Sequence, residues 1–161
     1  ELVTDEHGDA APRLNDVVLT AAEARTHHAT LLQEVVRMLC AGVVHGDLSE
    51  FNILLAADGP VIIDLPQAVD AAGNNHAARM LLRDVGNLRN FFGGFAPEIL
   101  ATQYGAEIWG LYERGVLQPG ALLTGRYERQ QGAVDLSALM REIDDARDEE
   151  AMRRLRMQTV P

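Results

Sequence analysis

Residues 45–52 read HGDLSEFN, and the next apolar run, residues 61–64, reads VIID. Asp47 lies five residues before Asn52, and Asp64 ends the second run. An Asp-Gly pair between the two stretches is typical of a tight turn that joins antiparallel strands. A hairpin places the start of its first strand beside the end of its second. We therefore expect Asn52 and Asp64 to lie together, with Asp47 facing the same space.

These three side chains form a set of ligands that contains only oxygen donors. Two carboxylates and one amide oxygen suit Mg²⁺, which shares phosphate oxygens with the protein. Phosphoryl transfer needs such an ion and a further carboxylate that orients the attacking hydroxyl. Any one of these residues alone is a common turn or capping residue. Their joint spacing, H-x-D-x-x-x-x-N followed by an apolar strand ending in Asp, is that of a kinase catalytic loop.

The surrounding sequence predicts a mostly helical α+β domain. A Thr-x-x-Glu capping box starts a first helix near Thr20, and Gly42 follows its end. Three further helices are predicted over residues 76–92, from Pro97 to Arg114, and from Asp135 onward. The expected fold is a protein-kinase-like C-terminal lobe, in which one small β-hairpin carries the catalytic loop and the metal-binding aspartate.

The same motifs resemble a known family. Residues 45–52 are similar to the loop H-x-D-L-S-E-[YF]-N of RIO-type atypical serine/threonine kinases. Residues 62–67, IIDLPQ, resemble the segment that replaces D-F-G in that family, and residues 82–87, LRDVGN, resemble its next helix. The resemblance covers residues 1–92 well. The remaining tail looks like that of bacterial members and is less diagnostic.

The resemblance implies roles for individual residues. Asp47 would be the catalytic base, and Asn52 and Asp64 would bind ATP-bound Mg²⁺ or Mn²⁺. In RIO relatives the residue matching Asp64 also accepts phosphate, so ATPase turnover through an aspartyl-phosphate is a further expectation. Asp84 would hold the catalytic loop in place, and His45 would be structural.

The first three residues resemble a kinase hinge, with the backbone of Glu1 and Val3 meeting the adenine of ATP. Residues 1–3 would then be a hinge remnant and residues 4–161 the C-terminal lobe. All 14 Lys/Arg positions are arginine, and the chain has no G-x-G-x-x-G. Kinases need a lysine and a glycine-rich loop. We therefore expect a trimmed fragment whose N-terminal lobe precedes Glu1, and little catalysis by the chain alone.

Three functions remain open at this level. The first is transfer of the ATP γ-phosphoryl group to a serine hydroxyl of a protein. The second is a small-molecule kinase of the aminoglycoside or choline type, in which His-Gly-Asp is common; Ser49-Glu50 and Pro66-Gln67 depart from that type. The third is a non-catalytic pseudokinase or docking module, favoured by the absent lysine if the chain is complete.

Composition restricts the partners and the compartment. A formal net charge of −10 makes non-specific nucleic-acid binding a poor hypothesis. No apolar run reaches the roughly 20 residues of a membrane span. Cys40 is the only cysteine, which fits a reducing cytoplasm, and we expect it to be buried. Expected partners are ATP and a protein substrate; a ribosome-related partner is an analogy with eukaryotic and archaeal relatives.

Overall fold

The computed structural model describes residues 2–64, 69–72, 76–128 and 136–158. The chain divides into two compact units, Glu1–Tyr127 and Glu128–Pro161. Four α-helices and four short strands make up the described part: α1 (Ala21–Cys40), β1 (Val43–Val44), β2 (Ile53–Ala56), β3 (Gly59–Ile62), β4 (Val69–Asp70), α2 (Ala77–Gly93), α3 (Tyr104–Glu113) and α4 (Leu136–Gln158). None of the described helices has an apolar stretch that could cross a bilayer. The fold is α+β, as predicted.

Helix α1 begins where the capping box predicts. The Thr20 side chain accepts a hydrogen bond from the Glu23 N–H at 3.1 Å, and the Glu23 carboxylate accepts one from the Thr20 N–H at 3.0 Å. The face predicted to be apolar is buried: Leu31, Leu32, Val35, Val36 and Leu39. Cys40, the last residue of α1, is exposed. The prediction of a buried thiol is therefore wrong, because the chain turns out of the helix at Ala41.

Strands β2 and β3 form the predicted hairpin. They pair in antiparallel fashion from Ile53 opposite Ile62 to Ala56 opposite Gly59, with a two-residue connection. Gly59 has a φ of 123°, a conformation that L side chains rarely adopt. The Asp-Gly signal thus located the turn correctly.

The N-terminal segment covers the free edge of β2. The Thr4 C=O accepts a hydrogen bond from the Ala57 N–H at 3.1 Å, and the Pro12 C=O accepts one from the Leu55 N–H at 2.9 Å. The sequence analysis did not predict this pairing. The N–H groups along the free edge of the hairpin are the partners of these two carbonyl groups.

A second small sheet was not predicted. Strand β1 pairs with β4, with Val43 opposite Asp70 and Val44 opposite Val69. The expectation of a single hairpin is therefore incomplete. Strands of two residues show no alternation in the sequence, and the paired residues are 25 and 27 positions apart in the chain, so no local pattern revealed the pairing.

The helix predicted from Pro97 to Arg114 is in fact interrupted. Residues Pro97–Ala101 form a 3₁₀ turn, Thr102 is extended, and α3 starts at Tyr104. The Gln103 N–H donates to the Gly125 C=O at 2.8 Å. A carbonyl from a distant loop thus replaces the helical acceptor, and the local pattern could not show it.

We expect Thr20→Ala to lower the free energy of unfolding by about 1 kcal/mol, because the Glu23 N–H loses its capping acceptor. Urea denaturation followed by circular dichroism measures the effect. Thr26→Ala is the matched control, since the Thr26 hydroxyl bonds only the Ala22 C=O inside the same helix. Equal losses in both variants would contradict the capping role.

Candidate active site

The buried carboxylate of Asp84 on α2 accepts two hydrogen bonds from the backbone of the predicted catalytic loop, residues 45–52. The Gly46 N–H donates to Oδ2 at 2.8 Å, and the Leu48 N–H donates to Oδ1 at 3.0 Å. Asp84 is only 2% exposed. Its predicted supporting role is thereby confirmed. The bonded N–H groups flank Asp47, so the two bonds limit how the backbone at Asp47 can move.

Burial raises the pKa of the Asp84 carboxyl to about 6. Removal from water is the largest cause, because it disfavours the charged form. The two backbone N–H donors and the neighbouring His45 and Arg83 act in the opposite direction and lower the pKa. Burying this carboxyl therefore costs stability once it is ionised.

Asn87, one turn further along α2, contacts the same loop. Its Nδ2 donates to the Leu48 C=O at 2.8 Å. Together with Asp84 it pairs both backbone polar groups of Leu48, whose side chain is fully buried. The sequence analysis assigned Asn87 no role. The i, i+3 spacing of Asp84 and Asn87 on one helix face was the available signal.

His45 joins the backbones of the two predicted catalytic aspartates. Its ring is 1% exposed, its Nδ1 is 3.1 Å from the Asp47 N, and its Nε2 is 2.8 Å from the Asp64 O. A backbone N–H can only donate, so Nδ1 must be the acceptor. Nε2 must then carry the hydrogen and donate it to the Asp64 C=O. The ring is a fully bonded structural link, as the sequence analysis expected.

The side-chain amide of Asn52 bonds to the backbone of two earlier residues of the same loop. Its Nδ2 donates to the Asp47 C=O at 2.7 Å, and its Oδ1 accepts from the Ser49 N–H at 2.9 Å. Its own C=O accepts from the Ile63 N–H at 2.9 Å, next to Asp64. Asp47, Asn52 and Asp64 thus belong to one hydrogen-bond network, through His45 and the end of the hairpin.

The side chains of Asp47 and Asp64 remain exposed. Within the described residues, neither carboxylate accepts a hydrogen bond. Asp64 also has a φ of 67°, a left-handed conformation that is uncommon outside glycine. The Asn52 Oδ1 keeps one lone pair beyond its bond to Ser49. These oxygens fit the donor set that a hard divalent cation prefers, and their role as ligands stays a prediction.

The hinge prediction is only partly within the described residues. Glu1 lies outside them, as do Leu65, Pro66 and Gln67 of the IIDLPQ segment. The Val3 C=O accepts a hydrogen bond from the Ala11 N–H at 3.0 Å. In the part of the chain that the structure describes, the Val3 N–H has no partner. That N–H is the group which a hinge would offer to adenine.

The sequence model of the RIO domain matches residues 1–104. The chain belongs to the RIO family. It is 40% identical over 83 residues to the human serine/threonine-protein kinase RIO1, which covers 51% of this chain and 14% of that protein. It is 39% identical over 84 residues to the RIO-type serine/threonine-protein kinase Rio1 of Haloferax volcanii, covering 52% of this chain and 28% of that protein.

The RIO-type serine/threonine-protein kinase Rio2 of Methanocaldococcus jannaschii is 46% identical over 63 residues, 38% of this chain and 23% of that protein. The matched region thus spans less than a third of each of these relatives. The match supports an atypical serine/threonine kinase domain here.

We expect the stability of the wild type to fall relative to Asp84→Asn between about pH 4 and pH 6. The pKa of the Asp84 carboxyl is raised from 3.8 to about 6 in the folded protein, so the stability that its proton provides is lost as pH rises through this window. The full change is on the order of 3 kcal/mol. Urea denaturation at a series of pH values measures it.

Asp58→Asn, in the exposed hairpin turn, controls for the loss of one negative charge. If the wild type instead became more stable relative to Asp84→Asn as pH rises, hydrogen bonding to the Asp84 carboxylate would outweigh its desolvation.

Asn87→Ala is expected to lower the free energy of unfolding by about 1–3 kcal/mol, because the Leu48 C=O loses a buried donor. It should also speed hydrogen exchange in the peptide that contains residues 45–52. Asn90→Ala is the control, since Asn90 is exposed on the same helix. Exchange in this peptide that is unchanged by Asn87→Ala would remove Asn87 from the support of the loop.

Proposed function

We propose that this chain is the catalytic C-terminal lobe of a RIO-type serine/threonine protein kinase, which transfers the γ-phosphoryl group of ATP to a serine hydroxyl. One observation carries the proposal. The buried side chains of Asp84 and His45 and the half-buried side chain of Asn52 bond to the loop backbone, while the carboxylates of Asp47 and Asp64 are left exposed. A site that binds a charged substrate requires this division between side chains, because the carboxylate oxygens that contact the substrate must have no other partner.

In this proposal Asp47 orients the serine hydroxyl and accepts its proton as the phosphoryl group is transferred. Asn52 and Asp64 bind Mg²⁺ or Mn²⁺ together with ATP. The bound ion would neutralise charge on the phosphate oxygens. Asn52 donates a hydrogen bond to the Asp47 C=O and accepts one from the Ser49 N–H, and these two bonds limit the movement of Asp47 relative to Asn52.

Asp64 offers a second route of turnover. Its carboxylate is exposed, and its backbone is held by the hydrogen bond from His45. Transfer of the γ-phosphoryl group to this carboxylate, followed by hydrolysis, would give ATPase activity through an aspartyl-phosphate.

The rest of the catalytic apparatus is proposed to lie outside this chain. Residues 1–3 would be the end of a hinge and residues 4–161 the C-terminal lobe, with the lysine and the glycine-rich loop in an N-terminal lobe. The chain alone would then be inactive. We propose a cytoplasmic protein whose partners are ATP and a protein substrate. A ribosome-related partner remains an analogy.

Family membership favours this function over the two alternatives. The relatives named above are called serine/threonine-protein kinases, whereas the small-molecule hypothesis rests on the His-Gly-Asp triplet at residues 45–47 and the Ile-Asp pair at residues 63–64. A docking module has no need for exposed carboxylates at both Asp47 and Asp64, on a backbone held by buried hydrogen bonds.

The test uses the full-length protein with radiolabelled ATP and Mg²⁺. Asp47→Asn should lower phosphoryl transfer to serine by about 10²–10⁴-fold while leaving ATP binding largely intact, because only the base is lost. Asp64→Asn should weaken binding of ATP in a Mg²⁺-dependent way. Asp58→Asn, an exposed aspartate in the turn of the same hairpin, is the matched control and should behave as wild type.

Transfer to small hydroxyl compounds but not to protein would support the aminoglycoside or choline type of kinase instead. Wild-type protein that neither transfers phosphate nor turns over ATP would support the docking module and end the proposal. Phosphoryl transfer to serine that is equal in wild type and Asp47→Asn would remove Asp47 from the role of base.

A further inference from the structure

Phe51 lies in the catalytic loop with its ring facing solvent. It is 58% exposed, whereas every other aromatic side chain, all of them in the described part of the chain, is buried or half-buried. It follows Asp47 by four residues and directly precedes Asn52. Phe51 therefore lies between the proposed base and a proposed metal ligand in the chain.

The loop backbone prevents the ring from turning inward. The Phe51 N–H donates to the Ser49 hydroxyl at 3.3 Å, and the Asn52 N–H donates to the Ser49 C=O at 3.2 Å. On the other side, the Glu50 C=O accepts from the Asn15 N–H at 3.2 Å. Moving the backbone of Phe51 so that its ring reached the core would break these bonds.

The interior positions on either side of Phe51 are already filled. Leu48 and Ile53 are both fully buried. Phe51 therefore contributes little burial to the fold, although an aromatic side chain offers a large apolar area for contact. Exposed aromatic rings on a fixed backbone are effective contacts for a binding partner, because little conformational freedom is lost when they are covered.

We propose that Phe51 determines specificity by contacting an apolar side chain next to the accepting serine of the protein substrate. The inference rests on the proposed function. A serine whose hydroxyl reaches Asp47 must bring its chain neighbours over the same loop. A leucine or another apolar residue beside that serine would then cover the Phe51 ring, and both surfaces would leave water.

The test compares two peptide substrates, each incubated with the full-length protein, Mg²⁺ and ATP. One has leucine on both sides of a single serine, and the other has asparagine there. We expect wild type to prefer the leucine peptide by about 10-fold in kcat/KM. Phe51→Ala should bring this ratio close to one, and Phe51→Leu, which keeps an apolar side chain, should retain most of it.

Leu122→Ala is the matched control, because Leu122 is 95% exposed and lies outside the catalytic loop. Its peptide preference should equal that of wild type. Thermal melting of all variants checks folding, and Phe51→Leu decides the question should Phe51→Ala be unstable.

Three results would overturn the inference. A peptide ratio that is the same in wild type and Phe51→Ala removes Phe51 from substrate selection, while leaving the proposed kinase function in place. A Phe51→Ala variant whose main defect is a higher KM for ATP assigns the ring to the nucleotide. Wild-type protein that transfers phosphate to neither peptide nor to its own serines overturns the proposed function and this inference together.

Discussion

The arrangement of the candidate site depends on one buried carboxylate. Asp84 accepts hydrogen bonds from the backbone of Gly46 and Leu48, on both sides of Asp47. Ionising a carboxyl in the protein interior is costly, and its raised pKa reflects this cost. The conformation of the loop is thus fixed by a side chain of α2, a helix of the core, and not by strand or helix pairing within the loop.

Three other side chains, one buried and two half-buried, complete this support. Asn87 donates to the Leu48 C=O, His45 bonds to the Asp47 N–H, and Asn52 bridges Asp47 and Ser49. Backbone groups that are removed from water need partners, and here side chains provide them. Because the supporting side chains bond to the backbone, the exposed carboxylates of Asp47 and Asp64 remain available to the proposed substrate. A similar division of roles leaves Phe51 at the surface of a rigid loop.

The hairpin connects this loop to the segment that resembles a hinge. Strand β2 starts one residue after Asn52, pairs with β3, and receives residues 4–13 along its other edge. Its backbone therefore lies between the proposed nucleotide contact at Val3 and the end of β3 near Asp64.

The sequence by itself determined the features that rest on local chemistry. The capping box at Thr20, the Asp-Gly turn and the spacing of Asp47 and Asn52 each depend on a few adjacent residues. Residues 45–52 also contain enough positions of the catalytic-loop motif to indicate the RIO family. Only the tertiary structure decided the break at Thr102, the β1–β4 pairing and the exposure of Phe51. Each of these is set by a partner distant in the chain, or by neighbours that already fill the core, and no local pattern records such contacts.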